Sequence, residues 1–240
     1  MTRIDGRKEN ELRPVTMTTD FVDFAEGSVL IACGRTKVLC CASVEPGAPR
    51  HVPEGTGWVT AEYSMLPRAN RERSRRDVSK LKLSPRSAEI QRLIDRSLRA
   101  AVDLAALGER TITVDCDVLQ GDGGTRTASV TGGFAALAIA CRKLVETGAL
   151  EKSPIKGQVA AVSAGIVEDV PLLDLCYEED SRAMVDLNCV MNERGELIEL
   201  QGTGEGRGFT VAEQRALVDL CAGGIRELMK KQKEILGGRF

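Results

Sequence analysis

Histidine is almost absent from this chain of 240 residues: His51 stands alone, in the Pro-rich stretch Ala48-Pro49-Arg50-His51-Val52-Pro53, where a surface loop is expected. A zinc site built on several histidines is thereby excluded, and a Ser-His-Asp triad would have to rest on this single residue. Aromatic residues make up only 3% of the chain. The eight cysteines include no C-x-x-C pair and no zinc spacing, and most sit in apolar segments, so they read as buried reduced thiols. No apolar run is long enough to span a bilayer, and the charged N-terminus MTRIDGRKENELR lacks the apolar core of a signal peptide. The expectation is a cytoplasmic protein with no membrane contact. A net charge of −2 argues against non-specific nucleic-acid binding by the whole surface. Chemistry is left to carboxylates, arginines, lysines or a hard metal ion.

What is present centres on Gly121-Asp122-Gly123-Gly124-Thr125-Arg126-Thr127-Ala128-Ser129. Before it, Thr111 to Leu119 alternates apolar and polar residues and is rich in β-formers, which predicts a strand. After it, Val130 to Val145 has the apolar spacing of a helix that stops near Gly148. Strand, glycine turn and helix in that order bring unpaired N–H groups and the positive end of a helix dipole to one point, a site suited to an anion. Arg126 adds a planar guanidinium and Thr125 a hydroxyl. The stretch is neither G-x-x-x-x-G-K-[ST] nor G-x-G-x-x-G, so neither nucleotide fingerprint applies. A tight turn with a solvated arginine is the plainer alternative.

Met17 to Glu45 predicts three short strands, broken at Glu26-Gly27 and at Gly34-Arg35-Thr36, and Gly57 to Leu66 a fourth. Ser84-Pro85 opens a helix whose apolar face (Ile90, Leu93, Ile94, Leu98, Ala101, Val102, Ala105) runs to Gly108. Further strands are expected at Lys156–Glu168, Leu172–Tyr177, Ala183–Met191 and Glu196–Gln201, with a turn at Asn192–Gly195. Thr210 and Glu213 form a capping-box pattern for a last helix to Leu236, with an interruption expected at Gly223-Gly224. Each half gives strands, a glycine-rich turn and a long helix. The class is α+β.

Charge is unevenly placed. Arg68 to Lys82 holds seven basic residues against Glu72 and Asp77, a local +5. It is either a solvated loop or a basic arm for a phosphate backbone. Arg86, Glu89, Arg92, Arg96 and Arg99 recur on one face of the helix that follows, and Arg86 falls in its first turn, where the dipole favours an anion. Later, Asp180 and Asp186 share a face if the chain is a straight strand, but then lie about 20 Å apart, too far to act together. A turn within Glu178–Arg182, or just after it, would fold them into one hairpin, able to hold a hard cation or divide acid and stabilising roles. A charged turn paired with Arg182 is the alternative.

Together these stretches resemble the ribonuclease PH family, bacterial phosphorolytic exoribonucleases related to polynucleotide phosphorylase and the exosome core. The resemblance is carried by Arg3-Ile4-Asp5-Gly6-Arg7, by Gly57-Trp58-Val59-Thr60-Ala61-Glu62-Tyr63-Ser64-Met65-Leu66-Pro67-Arg68, and by Gly121 to Ser129. Leu173 to Met191 and Gly202-Thr203-Gly204-Glu205-Gly206 complete it, so that it runs nearly end to end. It implies two β/α halves of the ribosomal-protein-S5-domain-2-like type, at 10–145 and 155–240, with mixed sheets and helices packed on one side. It also implies attack of inorganic phosphate, a co-substrate, on the 3′-terminal diester of RNA, with release of a nucleoside diphosphate.

Carried over by position, Arg86, Gly124, Thr125 and Arg126 would bind the phosphate, and Asp180 and Asp186 would be the catalytic or Mg²⁺-binding acids. Arg68, Arg71, Arg73, Arg75 and Arg76, with Arg92 and Arg99, would guide RNA. The family's substrates are the 3′ ends of tRNA precursors and other structured RNA, and its members form homohexameric rings, trimers of dimers. Scarce aromatics favour backbone gripping over base stacking. Two other classes remain in view: a non-catalytic RNA-binding ring subunit, and a phosphate-binding enzyme of small metabolites.

Overall fold

The computed structural model describes residues 3–76 and 84–238. Its first half is a five-stranded sheet of β1 (Val15–Thr19), β2 (Gly27–Cys33), β3 (Thr36–Pro46), β4 (Trp58–Met65) and β5 (Arg110–Gln120), in the order β1-β2-β3-β5-β4. Gly34 (φ +57°) makes the tight turn that pairs Cys33 with Thr36. All pairings are antiparallel except β4 with β5. That parallel pair needs a crossover, which α1 (Pro85–Ala100) and the short α2 (Leu104–Leu107) supply. Alternation along β5 buries Ile112, Val114, Cys116 and Val118 on one face, against α3 (Thr125–Glu146).

The expected single helix from Ser84 to Gly108 is in fact two. Ser84 does cap the first, its hydroxyl accepting from the Ser87 N–H. After Ala100, however, Val102 bridges to Ile155, and the Asp103 carboxylate caps a new start by accepting from the N–H groups of Ala105 and Ala106.

The second half is an antiparallel sheet, β7-β6-β8-β9, of β6 (Val159–Val167), β7 (Val170–Leu173), β8 (Val185–Asn192) and β9 (Leu197–Gly204). Beyond Leu173 the expected strand to Tyr177 does not form. Asp174 takes a left-handed φ of +53°, and a single helical turn, α4 (Tyr177–Asp180), follows. The last helix, α5 (Val211–Leu236), opens on the Thr210–Glu213 capping box. It runs without interruption through Gly223-Gly224, and Gly224 is there for packing: a side chain at that position would press on Leu173 and Leu12.

Helices α3 and α5 each touch strands of both sheets, so they form the layer on which the two sheets close. β6 is buried at all nine positions. β7 pairs only with its far end, and at the near end side chains take over: the Thr131 hydroxyl accepts from Ala161 N and donates to Ala161 O, and Gln232 donates to Val159 O. Against the expectation that no apolar run could span a bilayer, α3 is long and apolar enough to do so by length and composition. With 78% of its most apolar window buried inside the protein, it is a core helix. The eight cysteines are free thiols and six are buried.

Candidate active site

The glycine turn between β5 and α3 is held from outside. Gly123 (φ +79°) and Gly124 (φ +65°) are left-handed, the conformation glycine adopts without strain, and Gly124 is the N-cap of α3. α3 therefore begins at Thr125, earlier than the apolar spacing alone suggests. The Arg13 guanidinium donates to the carbonyl of Asp122 (2.6 Å) while pairing with Asp174 (2.6 Å to Oδ1). Thr36 braces the other side, donating to Gly123 O and accepting from Asp122 N. With the turn's carbonyls occupied, the first N–H groups of α3 are free to face a ligand.

Around this turn lies a cavity of about 770 Å³, whose lining includes Arg86, Gly124, Thr125, Arg126, Asp180 and Asp186. The fold thus gathers the proposed phosphate ligands and both aspartates from α1, the glycine turn, α3, α4 and β8. The Thr125 hydroxyl meets the Tyr63 hydroxyl at 2.9 Å. Arg126 donates to Glu89 Oε1 (3.2 Å) and to Gln201 Oε1 (2.7 Å), and Gln201 donates in turn to Glu89 (2.6 Å). This triangle orients the guanidinium, and the Gln201 hydrogen bond and the nearby arginines hold the Glu89 carboxyl below its usual range. Arg86, one turn earlier on α1, makes no ion pair among the described residues.

The acids come together through a turn within Glu178–Arg182, as expected, but the turn is helical rather than the tip of a β-hairpin. Glu179 is buried in α4, where Arg3 donates to both of its oxygens (2.8 and 2.7 Å) and its carboxylate accepts from Cys176 N. Burial alone would raise the Glu179 carboxyl, but Arg3 holds it low. Arg7 donates to Asp174 O, so the N-terminal segment clamps the approach to α4. Asp180 ends that helical turn and Asp186 begins β8, and both face the cavity. Arg182, the expected salt-bridge partner, forms no ion pair with either among the described residues.

Asp186 is pushed up to about 6, first by burial and then by the negative charge of Asp180, against the pull of Arg126 and a hydrogen bond from Asn188. Asp180, open to solvent at the rim, is raised by the crowding walls, with Arg86 and Arg126 opposing. Two carboxylates that repel each other in a cavity are hard oxygen donors suited to Mg²⁺. Among the described residues no group of three or more His, Cys, Asp or Glu has metal-binding geometry. An ion there would rest on Asp180 and Asp186 and complete its shell with substrate and water oxygens, as Mg²⁺ commonly does.

Of the other arginines, Arg68 and Arg71 line a second, adjoining cavity of about 520 Å³, and Arg71 reaches Glu178 at 3.2 Å. Arg73, Arg75, Arg76 and Arg92 are exposed. The remainder of the basic segment, from 77 to Lys82, lies outside the described residues. Arg99 is not brought to the cavity: it stacks 4.4 Å over Trp58 and donates to Val59 O. His51, exposed as expected, meets the edge of the same Trp58. Sequence reasoning missed Glu89, Ser163, Asn188, Gln201 and Glu205 on the cavity wall. Ser163 carries a buried hydroxyl with no hydrogen-bond partner among the described residues. For Glu89 the only signal was its place one turn from Arg86.

Two α+β halves packed through shared helices, with an anion cradle facing a carboxylate pair, make up the two-domain RNase PH fold. The chain belongs to the 3′ exoribonuclease family, whose domain 1 matches residues 11–143 and whose domain 2 matches residues 157–220. That family is one of phosphorolytic 3′ exoribonucleases. Among solved structures, the chain is similar to a protein of the Archaeoglobus fulgidus exosome, a structure with RNA bound to the active site. They share 26% identity and a TM-score of 0.82 over 95% of this chain and 92% of that one. A protein of an archaeal exosome core gives 26% identity and 0.78 over 96% and 91%. Rice (Oryza sativa) Rrp46 shares the fold at 19% identity, with a TM-score of 0.80 over 98% and 100%.

Proposed function

We propose that the protein is a phosphate-dependent 3′→5′ exoribonuclease that removes 3′-terminal nucleotides from RNA, notably tRNA precursors, and releases nucleoside diphosphates. The observation that carries this reading is the meeting, on one cavity, of the α3 anion cradle with Asp180 and Asp186. Inorganic phosphate and a phosphodiester repel each other, so the site must neutralise both while holding them in line; in phosphoryl transfer such positioning and charge stabilisation dominate catalysis. Arg86, the Gly124–Thr125 turn and Arg126 would bind and orient the attacking phosphate. One of its oxygens forms a bond to the terminal phosphorus as the bond from that phosphorus to the 3′ oxygen breaks.

Asp180 and Asp186 would hold a Mg²⁺ ion, which when bound supplies charge neutralisation at the departing oxygen. The alternative to the ion is a protonated Asp186, whose carboxyl is pushed up to about 6, donating its proton to the same oxygen. Arg68, Arg71, Arg73, Arg75 and Arg76 would guide the RNA backbone. Assembly as a homohexameric ring and a cytoplasmic location belong to the same proposal. Ring assembly draws support from the exosome-core likeness.

A non-catalytic ring subunit is the second reading, and it is disfavoured by the joint presence of Arg86, Thr125, Arg126, Asp180 and Asp186 on one wall. The test is incubation of purified protein with RNA and Mg²⁺, with and without inorganic phosphate. Nucleoside diphosphate formed only with phosphate supports the proposal. RNA binding with no phosphate-dependent product sinks it.

A further inference from the structure

We propose that Tyr177 is a stacking platform for the nucleobase just 5′ of the bond that is broken, a subsite that rests on the phosphorolytic reading above. The chain has two tyrosines. Tyr63 is buried with its hydroxyl on Thr125. Tyr177 is the opposite case, 53% exposed, and its side chain makes no hydrogen bond among the described residues. A large ring left in water without a structural partner forgoes the burial that would stabilise the fold, and its place in the molecule supplies a reason.

That place is the wall between two cavities. Tyr177 lines both the cavity of the anion cradle and the adjoining one that carries Arg35, Arg68 and Arg71. Its backbone is pinned, because a side chain on Gly123 would run into the Cys176–Tyr177 peptide. Three residues on, Asp180 lies in the same helical turn, so ring and carboxylate are fixed to one short rigid element. An RNA whose terminal diester lies against Thr125 and Arg126 must pass Tyr177 before its upstream phosphates reach the three arginines. The base at that crossing belongs to the nucleotide that becomes the new 3′ end. Every base offers a π-face, so a single ring here grips without reading sequence and can hold each new end in turn.

The test uses RNA of one sequence with an abasic nucleotide at the second position from the 3′ end, at the terminal position, or at neither, and measures equilibrium binding without phosphate. Wild-type protein is expected to bind the penultimate-abasic RNA roughly five- to a hundred-fold more weakly than intact RNA, the range for one base–aromatic stack. Tyr177→Ala should show the same loss on intact RNA and no further loss on the abasic one, while Tyr177→Phe keeps wild-type binding. Additive losses, indifference of the wild type to the penultimate base, or a larger effect from the terminal base would overturn the proposal. Phosphorolysis of intact RNA by the wild type is followed in parallel; its absence would count against the enzymatic reading, separately from the stack.

Discussion

Arg13 and Asp174 stand 161 residues apart in the chain and meet in a two-point contact, Nη2 to Oδ1 at 2.6 Å and Nε to Oδ2 at 3.1 Å. Both are buried. The pair ties the end of β7 to the strand entering the first sheet, and the same guanidinium holds the glycine turn through Asp122 O. One contact thus joins the two halves and braces the anion cradle.

Replacing Arg13 by methionine should therefore cost stability and phosphate affinity together. Leaving the Asp174 carboxylate without its main partner is expected to destabilise the fold by about 3–5 kcal/mol, read from urea unfolding. Adding Asp174→Asn, which removes the unpaired charge while tolerating the left-handed φ and still accepting from the backbone N–H of residue 13, should recover part of that loss but none of the phosphate affinity, because the turn still lacks its brace. Recovery of both would show that Arg13 acts on the fold alone.

Arg126→Ala should depress phosphate-dependent turnover by roughly a hundred- to a thousand-fold, the scale for removing one preorganised donor to developing charge. RNA affinity should change little, since Glu89 and Gln201 still pair with each other and the basic segment is untouched. A fall in RNA affinity as large as the fall in rate would reassign the residue.

Asp186 gives a pH-dependent prediction. Its carboxyl titrates at about 6 when folded, against 3.8 as the ordinary value. Between those values the folded state binds a proton that the unfolded state has lost, so stability declines as pH rises through that window. Asp186→Asn should then be more stable than wild type at pH 7.5 by about 1–3 kcal/mol, with the gain vanishing near pH 4. Its turnover should fall strongly at every pH, with an altered Mg²⁺ dependence. Thermal melts showing the same difference at pH 4 and 7.5 would contradict the burial argument.

The basic segment is tested by salt. For single strands, log affinity should fall with log salt at about −0.7 per phosphate neutralised, so Arg73→Ala with Arg76→Ala should make the slope shallower by roughly one to one and a half. Long RNAs should lose more than very short ones, whose terminal diester reaches the cradle but not the segment. An unchanged slope would leave these arginines as a solvated loop.

What could be read from the sequence was local. The Ser84 cap, the Thr210–Glu213 box, the Asn192–Gly195 turn and the alternation of β5 each depend on neighbours within a few residues, and each formed as expected. What could not be read depends on distant partners. Glu89 meets Gln201 across 112 residues, and nothing in either local pattern marks the contact. The split of the helix near Asp103 goes with a bridge to Ile155, and the glycine at 224 answers to the close approach of Leu173. The two aspartates were visible, but the helical turn that presents Asp180 is made by Arg3 gripping Glu179, a partner 176 residues away.

The position of α3 between the two sheets also bears on how the chain is made. Synthesis delivers α3 before β6, at about 5–20 residues per second. Until β6 and α5 leave the ribosome, the nascent protein carries a 22-residue apolar helix with one flank bare. That flank is apolar surface which the fold has not yet covered. Prompt arrival of the C-terminal half therefore guards against aggregation as well as completing the fold. A pause in translation just after Glu146 would leave that apolar flank open to chaperones.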